Sequence, residues 1–326
     1  MIRIGMIGFG NMARKKHIPW IRETGKFEIT AASDIVADTG MAAELGVPRY
    51  YTDHRDLLAD PEVDAVLIAS PHDLHREHAV AAFEAGKHVI IEKPIARNLE
   101  ESQAILDAAE RAGTIGMTGF CQRYTPNHAY IRQLIDGGEF GQLLSARADH
   151  YQNFRRPFGT WWQMPERVGG GAVIGSGVHR LDLLRWYLGE AESVYAAAAY
   201  MPERMEADAC VHTAIKFKNG AVANFSINWA VYDRVFNETL TLSGKDGFVM
   251  TGIANKLSRI SVDGGKLQDF TAPPCATMYR HFADCIEAGN QPLTSLREGH
   301  ESLRLVRAIY HSIETGLPVD PQTVTF

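Results

Sequence analysis

The sequence predicts a chain in two parts: a doubly wound α/β domain over residues 1–120, then an α+β domain with a large, mostly antiparallel sheet over residues 121–326. Three observations carry this prediction. Short apolar runs alternate with helical segments through the first third of the chain. After about residue 120 long strand-like stretches separated by turn pairs take over. A length of 326 residues suits two domains better than one.

Ile2 to Ile7 is an apolar run that ends in glycine, the mark of a buried parallel strand. Asn11 to Glu23 reads as a helix, Phe27 to Ser33 as the second strand, and Ala37 to Leu45 as an Ala-rich helix. Asp64 to Ala69 is another buried strand, His75 to Ala85 a helix stopped by Gly86, and His88 to Ile91 the next strand. Leu99 to Ala112 is a helix with Asn98 as its N-cap and Gly113 past its end. Ile115 to Gly119 closes the parallel series. In the second part Thr125 to Asp136 is helical, Gln142 to Tyr151 alternates like a strand, and Gly169-Gly170-Gly171 precedes a helix over Val178 to Leu188. The strands Ser193 to Tyr200, Cys210 to Phe217, Ala221 to Trp229 and Glu238 to Ser243 follow, with Asn219-Gly220 as a hairpin turn. Thr277 to Ala288 and Leu296 to Thr315 are helical.

Composition narrows the function. The formal net charge of −6 lacks the basic footprint of a nucleic-acid binder and gives no attraction to an anionic membrane. No apolar run approaches the roughly 18 residues of a membrane span, and the N-terminus has no signal-peptide pattern. Cys121, Cys210, Cys275 and Cys285 form no CxxC pair and lie beside no histidines at metal-ligand spacing. The expectation is four reduced thiols in a cytoplasmic protein with no metal site.

Gly8-Phe9-Gly10-Asn11-Met12-Ala13 matches G-x-G-x-x-G/A directly after the first strand. Its small residues permit a tight turn, close approach of a pyrophosphate to the backbone, and tight packing of helix on strand. The helix N-terminus adds free N–H groups and partial positive charge for the phosphates. Asp34 ends the second strand 21 residues past Ala13, placed to accept hydrogen bonds from the adenosine ribose and to repel a 2′-phosphate. The cofactor expected is NAD; Arg14, Lys15 and Lys16 in the first helix leave NADP open.

The stretch Gly86-Lys-His-Val-Ile-Ile-Glu-Lys-Pro94 resembles the glucose–fructose oxidoreductase/inositol dehydrogenase/rhizopine catabolism (Gfo/Idh/MocA) family. The resemblance extends over nearly the whole chain. It takes in the glycine turn, Ala69-Ser70-Pro71-His72-x-x-His75, Gly119-Phe120-x-x-Arg123, and the glycine run followed by Gly177-Val178-His179-x-x-Asp182. It implies a Rossmann domain, an open-faced sheet domain that binds a carbohydrate-like or cyclitol substrate, and homodimers or homotetramers paired through those sheets. It also implies cofactor contacts from Gly8, Gly10, Asn11, Met12, Ala13, Asp34, Ser70, Pro71, His75, Glu92 and Lys93, with His72 and His75 toward the nicotinamide.

Hydride removal from a carbinol carbon needs a base for the hydroxyl proton and a donor for the developing alkoxide. Lys93 follows a buried strand, where ligands of open α/β sheets bind. An unperturbed histidine changes charge near neutral pH, which suits His179 as a proton shuttle, and it shares a helix face with Asp182, a candidate support. Arg123, Tyr124 and the segment Tyr151 to Trp162, with Arg155, Arg156, Trp161 and Trp162, are candidate pocket residues, because aromatic faces stack on sugar C–H surfaces and arginines fork onto oxygens. Tyr232 and Tyr279 complete the set. One position departs from the family: four residues before His179, where an Asp is common, stands Gly175. Loss of a carboxylate between two cationic groups lowers both their pKa values, and either Asp149 or Asp182 is a candidate replacement. A redox-neutral NAD-dependent glycosidase or lyase, and a non-catalytic NAD-binding protein, remain alternatives to the dehydrogenase.

Overall fold

A computed structural model describes the chain except residues 155–159, 203–204, 232–235, 253–256, 262–267 and 326. The chain divides into two compact units, Met1–Phe120 with Ala276–His300, and Cys121–Cys275 with Glu301–Phe326. The segment Ala276–His300, assigned by the sequence pattern to the second domain, returns to the first.

Unit 1 is built on six parallel strands, β1 (Ile2–Ile7), β2 (Phe27–Ser33), β3 (Arg49–Tyr51), β4 (Ala65–Ile68), β5 (His88–Ile91) and β6 (Gly116–Thr118). Their order is β3-β2-β1-β4-β5-β6, that of a doubly wound dinucleotide-binding sheet. Every residue of β4 is buried, as a strand covered by helices on both faces requires. The helices are α1 (Ile18–Glu23), α2 (Thr39–Glu44), α3 (His54–Ala59), α4 (His75–Glu84) and α5 (Leu99–Ala112). The Asn98 side chain caps α5 by accepting the Glu101 N–H at 2.9 Å, and Gly113 ends it in the left-handed conformation. β3 and α3 carry no periodic signal, being three and six residues long. In the returning segment Phe282 stacks on Phe27, and the Thr294 carbonyl accepts the Thr118 N–H.

Unit 2 holds α6 (Pro126–Asp136), α7 (Pro165–Val168) and α8 (Val178–Leu188) beside an eight-stranded sheet. The strands are β7 (Leu143–Gln152), β8 (Ala191–Met201), β9 (Met205–Phe217), β10 (Val222–Asn228), β11 (Phe236–Gly244), β12 (Gly247–Thr251), β13 (Leu257–Ser261) and β14 (Gln268–Phe270). Their order is β14-β13-β12-β11-β7-β10-β9-β8, antiparallel throughout except the pair β7–β10. Asn219-Gly220 makes the β9–β10 hairpin, with Gly220 at φ +88°. Ala146 and Ala148 of β7, Phe225 and Ile227 of β10, and Leu240 and Leu242 of β11 are buried in the core. α9 (Met278–Ala288) lies in unit 1, and α10 (Leu296–Thr315) contains the boundary at residue 300.

Candidate active site

The turn after β1 has one geometry that only glycine fits. Gly8 sits at φ +92°, and a Cβ there would lie 2.6 Å from both the Ala69 carbonyl carbon and the Ser70 nitrogen. The strand end therefore packs directly on the loop that follows β4. A Cβ on Gly10 would meet no protein atom within 4 Å, so packing within the chain does not explain that glycine, whereas close approach of a pyrophosphate does. Asn11 and Met12 are exposed at the start of the helix, and Ala13 is buried beneath it. At the end of β2 the Asp34 carboxylate accepts the Phe9 N–H at 2.8 Å and the Val36 N–H at 3.2 Å, which ties it to the glycine turn. Arg14, a potential partner of a 2′-phosphate, is paired with Asp38 at 2.9 Å. These residues fit a dinucleotide: a glycine turn open enough for a diphosphate, a helix start behind it and a carboxylate at the end of the next strand.

Lys93 leaves the carboxyl end of β5 half-buried, and the peptide between Lys93 and Pro94 is cis. Its N–H donates to Glu92 Oε2 at 3.2 Å. Ser70 and Pro71 lie on the neighbouring loop, where the Ser70 hydroxyl is 2.9 Å from His78 Nδ1. His75 was expected to face the nicotinamide. It is instead fully buried, with Nδ1 2.9 Å from the Pro94 carbonyl and Nε2 3.0 Å from the Ser70 carbonyl. Burial pushes its pKa below the ordinary histidine value. His75 thus pins the two loops together rather than presenting an edge to a ligand, and His72 is buried beside it. Tyr279, expected in the substrate pocket, is on α9 in unit 1 and fully buried, its hydroxyl 2.7 Å from His17 Nδ1.

In unit 2 a wide turn over Val173–Gly177 leads into α8 and carries Gly175 and His179. Its start is held from outside the helix. Asp208 of β9 accepts the Gly171 N–H at 2.8 Å and the Val173 N–H at 2.9 Å, and the Tyr310 hydroxyl accepts the Gly171 and Ile174 N–H groups. Burial raises the Asp208 pKa to about 6 against the pull of these donors. The space that a side chain at Gly175 would need is filled by aromatic rings. A Cβ there would collide with Trp229 and lie 3.4 Å from Trp162. Trp229 stacks on Phe154 at 3.7 Å between ring centroids, and Trp162 stacks on Trp161 at 4.4 Å. Both Trp161 and Trp162 are half-buried. Arg155, Arg156 and Tyr232 lie outside the described residues.

Neither acid proposed to replace the missing Asp is at hand. Asp182 is fully engaged: Arg123 holds it at 2.8 and 2.7 Å and Ser302 donates to it at 3.1 Å. Arg123 is itself 2% exposed and stacks over Trp186, so it serves the core instead of a substrate. Tyr124 is half-buried, its carbonyl accepting the Cys275 thiol. Asp149 has the opposite parity on β7 to the buried Ala148 and binds Arg147, Ser226 and Thr239. The carboxylate near His179 is one the sequence reading missed, Glu238. Its neighbours are His150 at 2.9 Å, Gln122 at 3.2 Å and the buried Arg180, and the charge of His179 also acts on it. Burial would raise the Glu238 pKa, but the His150 hydrogen bond and the Arg180 charge outweigh it and hold the group at about 2. Its signal was in the register: Glu238 shares parity with the buried Leu240 and Leu242, so a charged residue occupies an inward position. Among the described residues no group of His, Cys, Asp or Glu is arranged to hold a metal, and no helix is long and apolar enough to cross a membrane.

The glycine turn and the Asp34 strand end fit a dinucleotide-binding sheet, and the comparisons with known proteins make the chain an NAD-binding oxidoreductase. Residues 2–120 match the model of the oxidoreductase family with an NAD-binding Rossmann fold, and residues 128–250 match the GFO/IDH/MocA C-terminal domain. The chain belongs to the Gfo/Idh/MocA family of oxidoreductases. It is 29% identical to 1,5-anhydro-D-fructose reductase of Ensifer adhaerens, over 99% of both chains. It is 27% identical to scyllo-inositol 2-dehydrogenase (NAD(+)) of Bacillus subtilis, over 86% of this chain and 84% of that one. A solved levoglucosan dehydrogenase in complex with NADH superposes with a TM-score of 0.91 at 25% identity, covering 99% of this chain and all of the other.

Proposed function

We propose that the protein is an NAD-dependent dehydrogenase or reductase acting on a secondary alcohol or ketone of a sugar, sugar derivative or cyclitol. The observation that carries this reading is Lys93 at the carboxyl end of β5, in a sheet whose Gly8 turn admits a dinucleotide. The named relatives, a sugar reductase and a cyclitol dehydrogenase that match along most of their length, support the substrate class. Asp34, anchored by two backbone N–H groups, favours a ribose diol over a 2′-phosphate.

The bound nicotinamide supplies the hydride acceptor, or the donor in the reverse direction. In the oxidative direction the imidazole of His179 takes the hydroxyl proton as the carbinol hydrogen leaves with its electron pair, and in reduction it returns that proton to the alkoxide. The Lys93 ammonium donates a hydrogen bond to the substrate oxygen as its charge develops. Glu92 fixes the Lys93 backbone through the Lys93 N–H. Glu238, held ionised by His150 and Arg180, stabilises the protonated form of His179 in place of a carboxylate at position 175. Trp161 and Trp162 offer flat apolar faces to the C–H side of a ring substrate. The assembly in this reading is a cytoplasmic homodimer or homotetramer paired through the sheet of unit 2, with no nucleic-acid or membrane partner.

The test is an absorbance assay of nicotinamide reduction with NAD or NADP against aldoses, cyclitols, uronic acids and anhydrosugars. One sugar class reduces NAD and not NADP. Lys93→Ala and His179→Ala each lower kcat by about 10²–10⁴-fold, and in His179→Ala NADH binding, followed by its fluorescence, stays near wild type. A panel without turnover, or an alanine variant that keeps its rate, refutes the reading.

A further inference from the structure

A chain of buried side chains in unit 1 leads to the peptide that carries Lys93. His17 stands at the end of the wide turn that follows the glycines and has no exposed surface. Its Nδ1 is 2.7 Å from the Tyr279 hydroxyl, and its Nε2 is 2.9 Å from Glu92 Oε1. The second Glu92 oxygen accepts the Lys93 N–H. Trp20 and Tyr279 both meet the imidazole edge-on, at 5.5 and 5.9 Å, which fixes its plane.

The direction of the hydrogen bonds follows from what each group can do. An ionised carboxylate only accepts and would repel a ring-nitrogen lone pair at 2.9 Å, so Nε2 carries the hydrogen on the side of Glu92, in ion-pair contact with the carboxylate but outside hydrogen-bond geometry. In the neutral imidazole Nδ1 is then an acceptor, and the Tyr279 hydroxyl donates to it. Burying an imidazole and a phenol is unfavourable unless hydrogen bonds compensate, and apolar side chains would fill the same space without that demand. The polar chain is explained if its purpose lies at its far end, where Glu92 meets the Lys93 backbone.

We infer that Tyr279 and His17 are positioning residues for Lys93: they aim the Glu92 carboxylate, and Glu92 fixes the backbone from which the lysine ammonium reaches the substrate oxygen. This rests on the role given to Lys93 above. It also gives the returning segment Ala276–His300 a part in the chemistry, through one hydroxyl.

Four forms of the full chain test this: wild type, Tyr279→Phe, Glu92→Gln and the double variant. Tyr279→Phe keeps the ring against Phe27 and His17 and removes only the hydroxyl. The expected result is a fall in kcat of about fivefold with the sugar KM unchanged, and no further fall when the same change is made in Glu92→Gln. A purely structural role would lower thermal stability and leave kcat alone. A Tyr279→Phe enzyme with wild-type kcat, or losses that multiply in the double variant, overturns the inference. A wild type that turns over no sugar is a failure of the functional reading, and the relay is then judged by the ring-nitrogen shifts of His17 in labelled protein. A neutral, Nε2-protonated ring whose Nδ1 resonance moves in Tyr279→Phe supports the relay; an Nδ1-protonated ring, or no movement, overturns it.

Discussion

Replacing Gly175 by alanine adds one methyl group, and the structure says where it goes. The new Cβ overlaps the outer edge of the Trp229 ring, with Cζ2 2.9 Å away, and touches Trp162 at 3.4 Å. Trp229 is 3% exposed and stacked on Phe154, so it cannot yield toward that ring. Overpacking of this kind costs about 1–3 kcal/mol. For a unit of this size the melting temperature moves by about 2–4 °C per kcal/mol, so calorimetry should record a drop of about 2–12 °C. The partner variant is Trp229→Phe, which removes the ring carbons that meet the methyl group. It is destabilising alone because it leaves a void, yet in combination the two should be better than the sum of their separate losses by about 1 kcal/mol. Gly175→Ala with an unchanged melting temperature, or strictly additive losses, would refute the view that Trp229 occupies the space of a side chain at position 175.

Glu238→Gln leaves Arg180 buried without a full counter-charge and should cost about 3–5 kcal/mol in urea unfolding. Because the folded Glu238 pKa lies near 2, below its ordinary 4.5, its stabilisation is complete above about pH 4.5 and is lost as pH falls toward 2; that loss should vanish in the variant. Asp208 has the opposite sign: its folded pKa is raised to about 6 from 3.8, so stability falls as pH rises from about 4 to 6, and Asp208→Asn should flatten this part of the pH–stability curve. Asp34→Ala should weaken NAD binding by about tenfold or more, as loss of a charged hydrogen-bond acceptor does, and narrow the preference over NADP; equal affinities before and after would remove Asp34 from the ribose site.

The parallel half was legible because its signals are local. Apolar runs ending in glycine, the Asn98 cap and the Gly113 stop each depend on neighbours in sequence, and β2, β5 and α5 fall at the anticipated residues. What escaped was set by partners far along the chain. Tyr279 looked like a pocket aromatic because nothing nearby revealed His17, and Arg123 looked like a ligand residue because Asp182 lies 59 positions away. β3, β13 and β14 are too short for periodicity to register. Glu238 could have been found, since counting by twos from Leu242 and Leu240 puts it on the buried face. The glycine at position 175 was visible, but the tryptophan that fills its space comes from beyond the end of β10, and only the folded chain joins the two.

The return of Ala276–His300 to unit 1 has a consequence for synthesis. A ribosome that has released residue 120 has made every strand of the parallel sheet, yet not Phe282, which stacks on Phe27, nor Thr294, which accepts the Thr118 N–H. At roughly 5–20 residues per second, about 10–40 s pass before residue 300 emerges. Throughout that interval the nascent nucleotide-binding half carries an unfinished apolar flank, a surface for chaperones to shield. A gene fragment cut at the obvious boundary would inherit the same defect permanently.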